Sequence, residues 1–175
     1  AVGSVLLIFF VTLVLGLSVR GLFGTPSAGD LQESRWQQNG PFELSPERGR
    51  FALTYSIVEY GSVFFTPDIA RFAIPDLGYK NGRFVSLFAP AVSYIIIPGY
   101  TLGKMLGASQ VGSFATVAVF ALANFLLIRA VAVKLGAHKI AGTIGGLVFL
   151  FGSPAFAYAV TLYQHHISTF LILAS

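Results

Sequence analysis

Four stretches without a single Asp, Glu, Lys or Arg, at 1–19, 84–103, 105–128 and 140–175, limit what this chain can fold into more than any other feature. A helix on the surface of a soluble domain carries charges along one side. These tracts have none, and the first three are each near the length of one bilayer crossing, about 20 residues. The whole chain agrees: with 55% hydrophobic and 10% charged residues among 175, it has too little polar surface for a water-soluble domain of its size. A secretion signal would explain the first tract alone, not the three that follow.

The charges are segregated. All seven acidic residues and seven of the eleven basic ones lie between Arg20 and Arg83, so that region is formally neutral. Beyond it stand only Lys104, Arg129, Lys134 and Lys139. The net charge of +4 therefore marks the ends of apolar tracts, not a basic face, and no nucleic-acid partner is expected. The absence of cysteine excludes disulfides and thiolate chemistry. No Walker-type glycine loop, zinc-ligand spacing or Ser/His/Asp arrangement is found.

These features predict an all-α, polytopic integral membrane protein with membrane lipids as its surroundings. Spans are expected at 1–19, 84–106, 112–134 and 139–151, with a further hydrophobic helix over 154–175. Pro90 and Pro98 should kink the second span, and Gly152, Ser153 and Pro154 should break the last tract. The small residues of GTIGG, 142–146, predict a helix-packing surface. The chain starts without methionine and stops inside a hydrophobic run, so it is read as part of a longer protein. The basic connection at 129–139 points to the cytoplasm. If every tract crosses once, that places it on the same side as the polar segment; otherwise 84–103 makes less than a clean crossing.

Residues 20–83 are too charged for hydrocarbon yet rich in aromatic and branched side chains, as in a loop packed at the membrane interface and carrying short helices. GTPSAGD and QQNGPFELSP read as turns. Within SPERGRFALTYSIVEYG, an amphipathic helix is predicted over 46–60. Ser45 can cap it, Pro46 suits its first position, Glu47 meets the helix dipole and Gly61 can end it. Phe51, Tyr55 and Val58 form one side. Glu47, Arg50 and Thr54 form another at spacings of three and four, a polar stripe that needs a partner.

RGRFALTYSIVEYGS, YKNGRFVSLFAPAVSYIIIPGYTLGKMLG and GSPAFAYAVTLYQHHISTFLIL, in that order, resemble the N-terminal part of bacterial and archaeal membrane glycosyltransferases of the C-type fold. That group includes dolichyl-phosphate-mannose protein mannosyltransferases and lipid A aminoarabinose transferases. The resemblance implies transfer of a sugar from a polyprenyl-phosphate donor to an acceptor on the extracytoplasmic side of a bacterial or archaeal cytoplasmic membrane, with 20–83 as the external loop. Aligning Arg50, Phe51 and Ala52 with the family's Arg-Tyr-Ala-like sequence puts Glu47 at the first position of an acidic pair and Arg48 at the second, so one carboxylate is lost. Phe88 and Ala89 precede Pro90 where relatives commonly have a lysine. His165 falls where many relatives have a histidine after the GSP turn.

Sugar transfer needs a group to orient or deprotonate the acceptor and cations to hold the donor phosphate. Glu47 and Asp30 are the candidate catalytic carboxylates; the plainer alternative for Glu47 is a first-turn glutamate that stabilises its own helix. Arg50, Arg48 and His165 are the candidate substrate-binding groups, arginine because its planar fork matches phosphate oxygens. Histidines inside a charge-free tract are functional candidates by default. They could hold a divalent metal ion together with loop carboxylates, although the adjacent pair alone lacks metal-site spacing. Two other readings fit the same residues: a transporter or flippase whose kinked spans and histidines line a path, and a non-catalytic membrane subunit.

Overall fold

The computed structural model describes residues 2–36, 41–42 and 44–175. Part of the expected turn over QQNGPFELSP, residues 37–40 and 43, lies outside them. The chain is mostly helical and forms two compact units: Ala1–Val19 with Val117–Val160 and Gln164–Ser175, and Arg20–Thr116 with Thr161–Tyr163. One helix, α6 (Ser109–Lys134), contributes to both.

The first unit is apolar. It contains α1 (Val2–Ser18), most of α6, α7 (Lys139–Phe151), α8 (Ala155–Ala159) and α9 (His165–Ala174). Val11 and Leu15 of α1, Ala118, Ala121 and Phe125 of α6, and Leu150 of α7 form its core. Gly142 and Gly146 lie on the α6-facing side of α7, where a side chain at 142 would meet the Arg129 carbonyl and one at 146 the Phe125 ring. This is the packing role expected of GTIGG. The break also falls where expected, α7 ending at Phe151 and α8 starting after Pro154.

Among the described residues only α6 is long and apolar enough to cross a membrane by length and composition. Three other apolar helices, Val5–Ser18, Lys139–Phe151 and His165–Ala174, have 10–17 residues, fewer than the roughly 20 of one crossing. The expected second span over 84–106 is not one helix. Its first residues belong to strand β2 (Arg83–Ser86), followed by α4 (Ala91–Ile95) and α5 (Ile97–Met105). The reason is the chemistry already noted: Pro90 and Pro98 lack the N–H that would carry a helix through them.

The second unit is built around α2 (Ser45–Tyr60), which packs on α3 (Pro67–Ala73), α4 and α5. The helix predicted over 46–60 thus forms with nearly the same bounds, and Gly61 ends it with a left-handed φ of 60°. The cap differs. Leu44, not Ser45, is the N-cap, and Glu47 reaches back to accept a hydrogen bond from the Leu44 N–H at 3.3 Å. α2 is also not amphipathic in the expected sense, because Glu47, Arg50 and Thr54 are as buried as Phe51 and Leu53.

Phe42, Phe51, Phe72 and Phe114 close this unit's core, with Phe42 between 5.3 and 5.6 Å from the other three ring centroids. Strands β1 (Leu77–Lys80) and β2 pair antiparallel, Lys80 opposite Arg83, a small departure from the all-α expectation. Asn81 and Gly82 join them, both at positive φ, 52° and 77°, as a two-residue type I′ hairpin turn requires.

α5 and α6 approach so closely that side chains at Gly99 and Gly112 would strike each other's backbone. Gly112→Ala should therefore destabilise the protein by about 1–3 kcal/mol through overpacking. Gly145→Ala, on an open part of α7, should be neutral or stabilise by up to about 1 kcal/mol. Thermal unfolding of both variants in one detergent checks the contrast.

Candidate functional site

The polar stripe of α2 has found its partner, and the partner is backbone. Glu47 is fully buried and accepts a hydrogen bond on Oε1 from the Leu162 N–H at 3.0 Å, while Oε2 serves Leu44. One turn along, Arg50 Nη1 donates to the carbonyl of the same Leu162 at 2.9 Å. Two side chains of opposite charge, three residues apart, thus grip both polar groups of one residue. The same helix face continues to Thr54, whose hydroxyl donates to the Ser93 carbonyl at 2.9 Å; the Ser93 hydroxyl donates to the Arg50 carbonyl at 3.0 Å.

Aromatic rings complete the enclosure. The Arg50 guanidinium lies 5.2 Å from the Phe88 ring centroid and 5.1 Å from that of Tyr163, an arrangement that favours a delocalised cation. Gly49 makes it possible, since a side chain there would press on the Phe88 ring at 3.0 Å. Burial lowers the Arg50 pKa from its usual value, opposed by Tyr163 and Glu47 beside it.

Arg20 is the member of this group that the sequence reading did not select. Its Nη1 lies 3.9 Å from Glu47 Oε1 and its guanidinium 5.9 Å from the Phe114 ring centroid, yet 21% of the side chain is exposed, against none for Glu47. Of the three charged groups it is the one solvent reaches best. Its signal was its position, the first charge after the first apolar tract.

Two other candidates, Arg48 and Asp30, make their contacts elsewhere in the second unit. Arg48 points elsewhere on α2 and donates from Nη2 to the Ile74 carbonyl at 2.9 Å. Asp30 closes a local turn, its Oδ2 accepting from the Ser27 amide and hydroxyl, each at 2.9 Å. Those bonds lower its pKa below the ordinary carboxylate value, which makes it a weaker base.

His165 belongs to the apolar unit, where its ring lies 4.1 Å from that of Tyr158. With His166, Ser153 and Thr169 it lines a cavity of about 240 Å³ in that unit. His166 is buried; its Nε2 sits 2.7 Å from the Ala155 carbonyl, which can only accept, so Nε2 carries the proton. Nδ1 then accepts from Asn124 Nδ2 at 3.1 Å, and the same amide nitrogen donates to the His166 carbonyl at 2.8 Å. Among the described residues no three His, Asp or Glu side chains come together as a metal ion would need.

Comparison with protein-family models, with curated proteins and with solved structures gives no significant match. What the chain does must be argued from these residues.

Glu47→Ala would leave the buried Leu162 N–H and the Leu44 N–H without their acceptor and remove the carboxylate beside Arg20, a loss of about 3–5 kcal/mol in chemical or thermal unfolding. Arg50→Lys, which keeps the charge but loses the flat stack, should cost about 1–2 kcal/mol. The depressed Asp30 pKa has its own sign. Its turn is stabilised above the unfolded carboxylate pKa, and that contribution is lost as pH falls through the lower folded value. The Ser27 amide resonance, followed by NMR, should therefore move with a midpoint below the ordinary carboxylate pKa.

Proposed function

We propose that this chain is part of a multi-span membrane glycosyltransferase that takes a sugar from a polyprenyl-phosphate donor on the extracytoplasmic side of a bacterial or archaeal cytoplasmic membrane. Two features support the membrane setting. α6 is long and apolar enough to cross, and α7 buries Leu150 while leaving Ile140, Ile144 and Val148 more than half exposed. A helix apolar on both its buried and its exposed sides suits a lipid surround.

The observation that carries the chemical reading is the enclosed charge group of Arg20, Glu47 and Arg50, held within a compactly folded segment between apolar tracts. Charges enclosed in this way are costly unless paired, and they concentrate at functional sites. In transfer, the bond from the sugar's anomeric carbon to the phosphate oxygen breaks and a bond to the acceptor forms, with the acceptor's proton passing to the departing phosphate. The phosphate that departs needs a cation. Arg20 is best placed for that role, being partly exposed and steered by Glu47.

Glu47, with both oxygens engaged by N–H groups, is assigned as a positioning residue, not as the catalytic carboxylate that would orient or deprotonate the acceptor. Its full enclosure also favours, as a second reading, a non-catalytic membrane subunit in which the same group only holds the fold.

The test is release of polyprenyl phosphate from a radiolabelled polyprenyl-phosphate hexose by the full-length protein in proteoliposomes. Sugar should leave the donor, and Arg20→Gln should lower turnover by about 100-fold, whereas Arg20→Lys, which keeps a cation beside Glu47, should hold the melting temperature and retain part of the turnover. Unchanged turnover in Arg20→Gln would remove its assignment. No release by the wild type, with or without solute uptake, would favour the subunit or transporter readings.

A further inference from the structure

We propose that the tip of the β1–β2 hairpin is a cradle for the phosphate headgroup of an anionic lipid. This inference rests on the membrane setting above, though not on glycosyl transfer.

The hairpin register sets Lys80 directly opposite Arg83, next to the Asn81 and Gly82 turn. Residues opposite each other in a two-stranded ladder point to the same face, so two cations share one face of a narrow tip. The segment before α3 runs alongside: the Phe65 N–H donates to the Phe84 carbonyl at 2.9 Å, and the neighbouring Phe64 ring lies under the Arg83 guanidinium, 4.7 Å from its carbon. Phe64, Lys80, Asn81 and Arg83 line a concavity of about 480 Å³, within the range of sites that hold small ligands.

No acid among the described residues is paired with these cations, Lys80 and Arg83. There is no Asp or Glu anywhere from 77 to 175, nor from 60 to 67 in the segment that flanks the tip. Two like charges three residues apart repel unless an anion lies between them. An arginine fork, a lysine and an amide facing one hollow are the donors a phosphodiester accepts from.

The choice of a lipid over free phosphate comes from what surrounds the hollow. Val63 and Phe64 beside it, Tyr79 on the other hairpin face and Leu87 just after β2 are exposed by 36 to 69%. Free phosphate has no use for apolar neighbours. A headgroup with glyceride carbons attached does, and aromatic residues among cations are the usual dress of a membrane interface.

The experiment uses the full-length protein in detergent, with lipids counted by native mass spectrometry after titration with phosphatidylglycerol or phosphatidylcholine. Each cation beside an anionic headgroup contributes about fivefold in affinity. The Lys80→Gln/Arg83→Gln double variant should therefore lose about 25-fold for phosphatidylglycerol and little for phosphatidylcholine. Arg71→Gln, at a surface cation already paired with Asp68, should bind phosphatidylglycerol as the wild type does.

Equal binding by the double variant, equal affinity for both lipids, or an equal loss in Arg71→Gln would overturn the proposal. So would displacement of phosphatidylglycerol by equimolar inorganic phosphate, which would make the free ion the ligand. Carbonate extraction of the wild type separates the two levels. Release from membranes removes the membrane setting and this inference together, whereas retention with an indifferent double variant removes the inference alone.

Discussion

One residue's backbone, that of Leu162, is where the second unit is tied together. A carboxylate from Glu47 takes its N–H and a guanidinium from Arg50 takes its carbonyl, so a segment of three residues is locked to a helix more than a hundred positions earlier. An unpaired backbone group in such a place would cost a few kcal/mol, and a lone buried charge would cost more. Each therefore answers the other's need. The rest follows from that fit: Tyr163 is delivered to one side of Arg50, Phe88 takes the other, and Gly49 stays bare to admit Phe88.

The apolar unit treats polarity the same way on a smaller scale. Its buried imidazole is fixed in one tautomer by a carbonyl and an amide, and the amide also satisfies the histidine's own carbonyl. Around it the packing depends on small side chains, Gly142 and Gly146 allowing α7 to meet α6. Where hydrophobic surface is plentiful, close approach and satisfied polar groups decide which helices sit together.

Much of this organisation was legible beforehand, and the exceptions have physical causes. Three of the four charge-free tracts marked the apolar helices, Gly61 marked the end of α2, and the GSP turn marked the break before α8, because each is local chemistry. The spacing of Glu47, Arg50 and Thr54 announced a stripe in search of a partner. It could not name Leu162, since a backbone group leaves no trace in side-chain patterning. The same blindness explains Asp30, whose carboxylate is spent on the nearby Ser27. The hairpin escaped notice because Phe84 and Val85 open an apolar run that reads as the start of a helix. Only the Asn-Gly pair before it carried the strand signal.

The Leu162 tie also has a meaning in time. The two partners of the Glu47 bond are separated by 115 positions, and a ribosome adding about 5–20 residues per second needs on the order of ten seconds to make that much chain. For that interval the helix bearing Glu47 and Arg50 exists without the backbone it is shaped to hold. The nascent protein must shelter a carboxylate and a guanidinium in water, in each other, or in whatever accompanies it, before the last piece emerges.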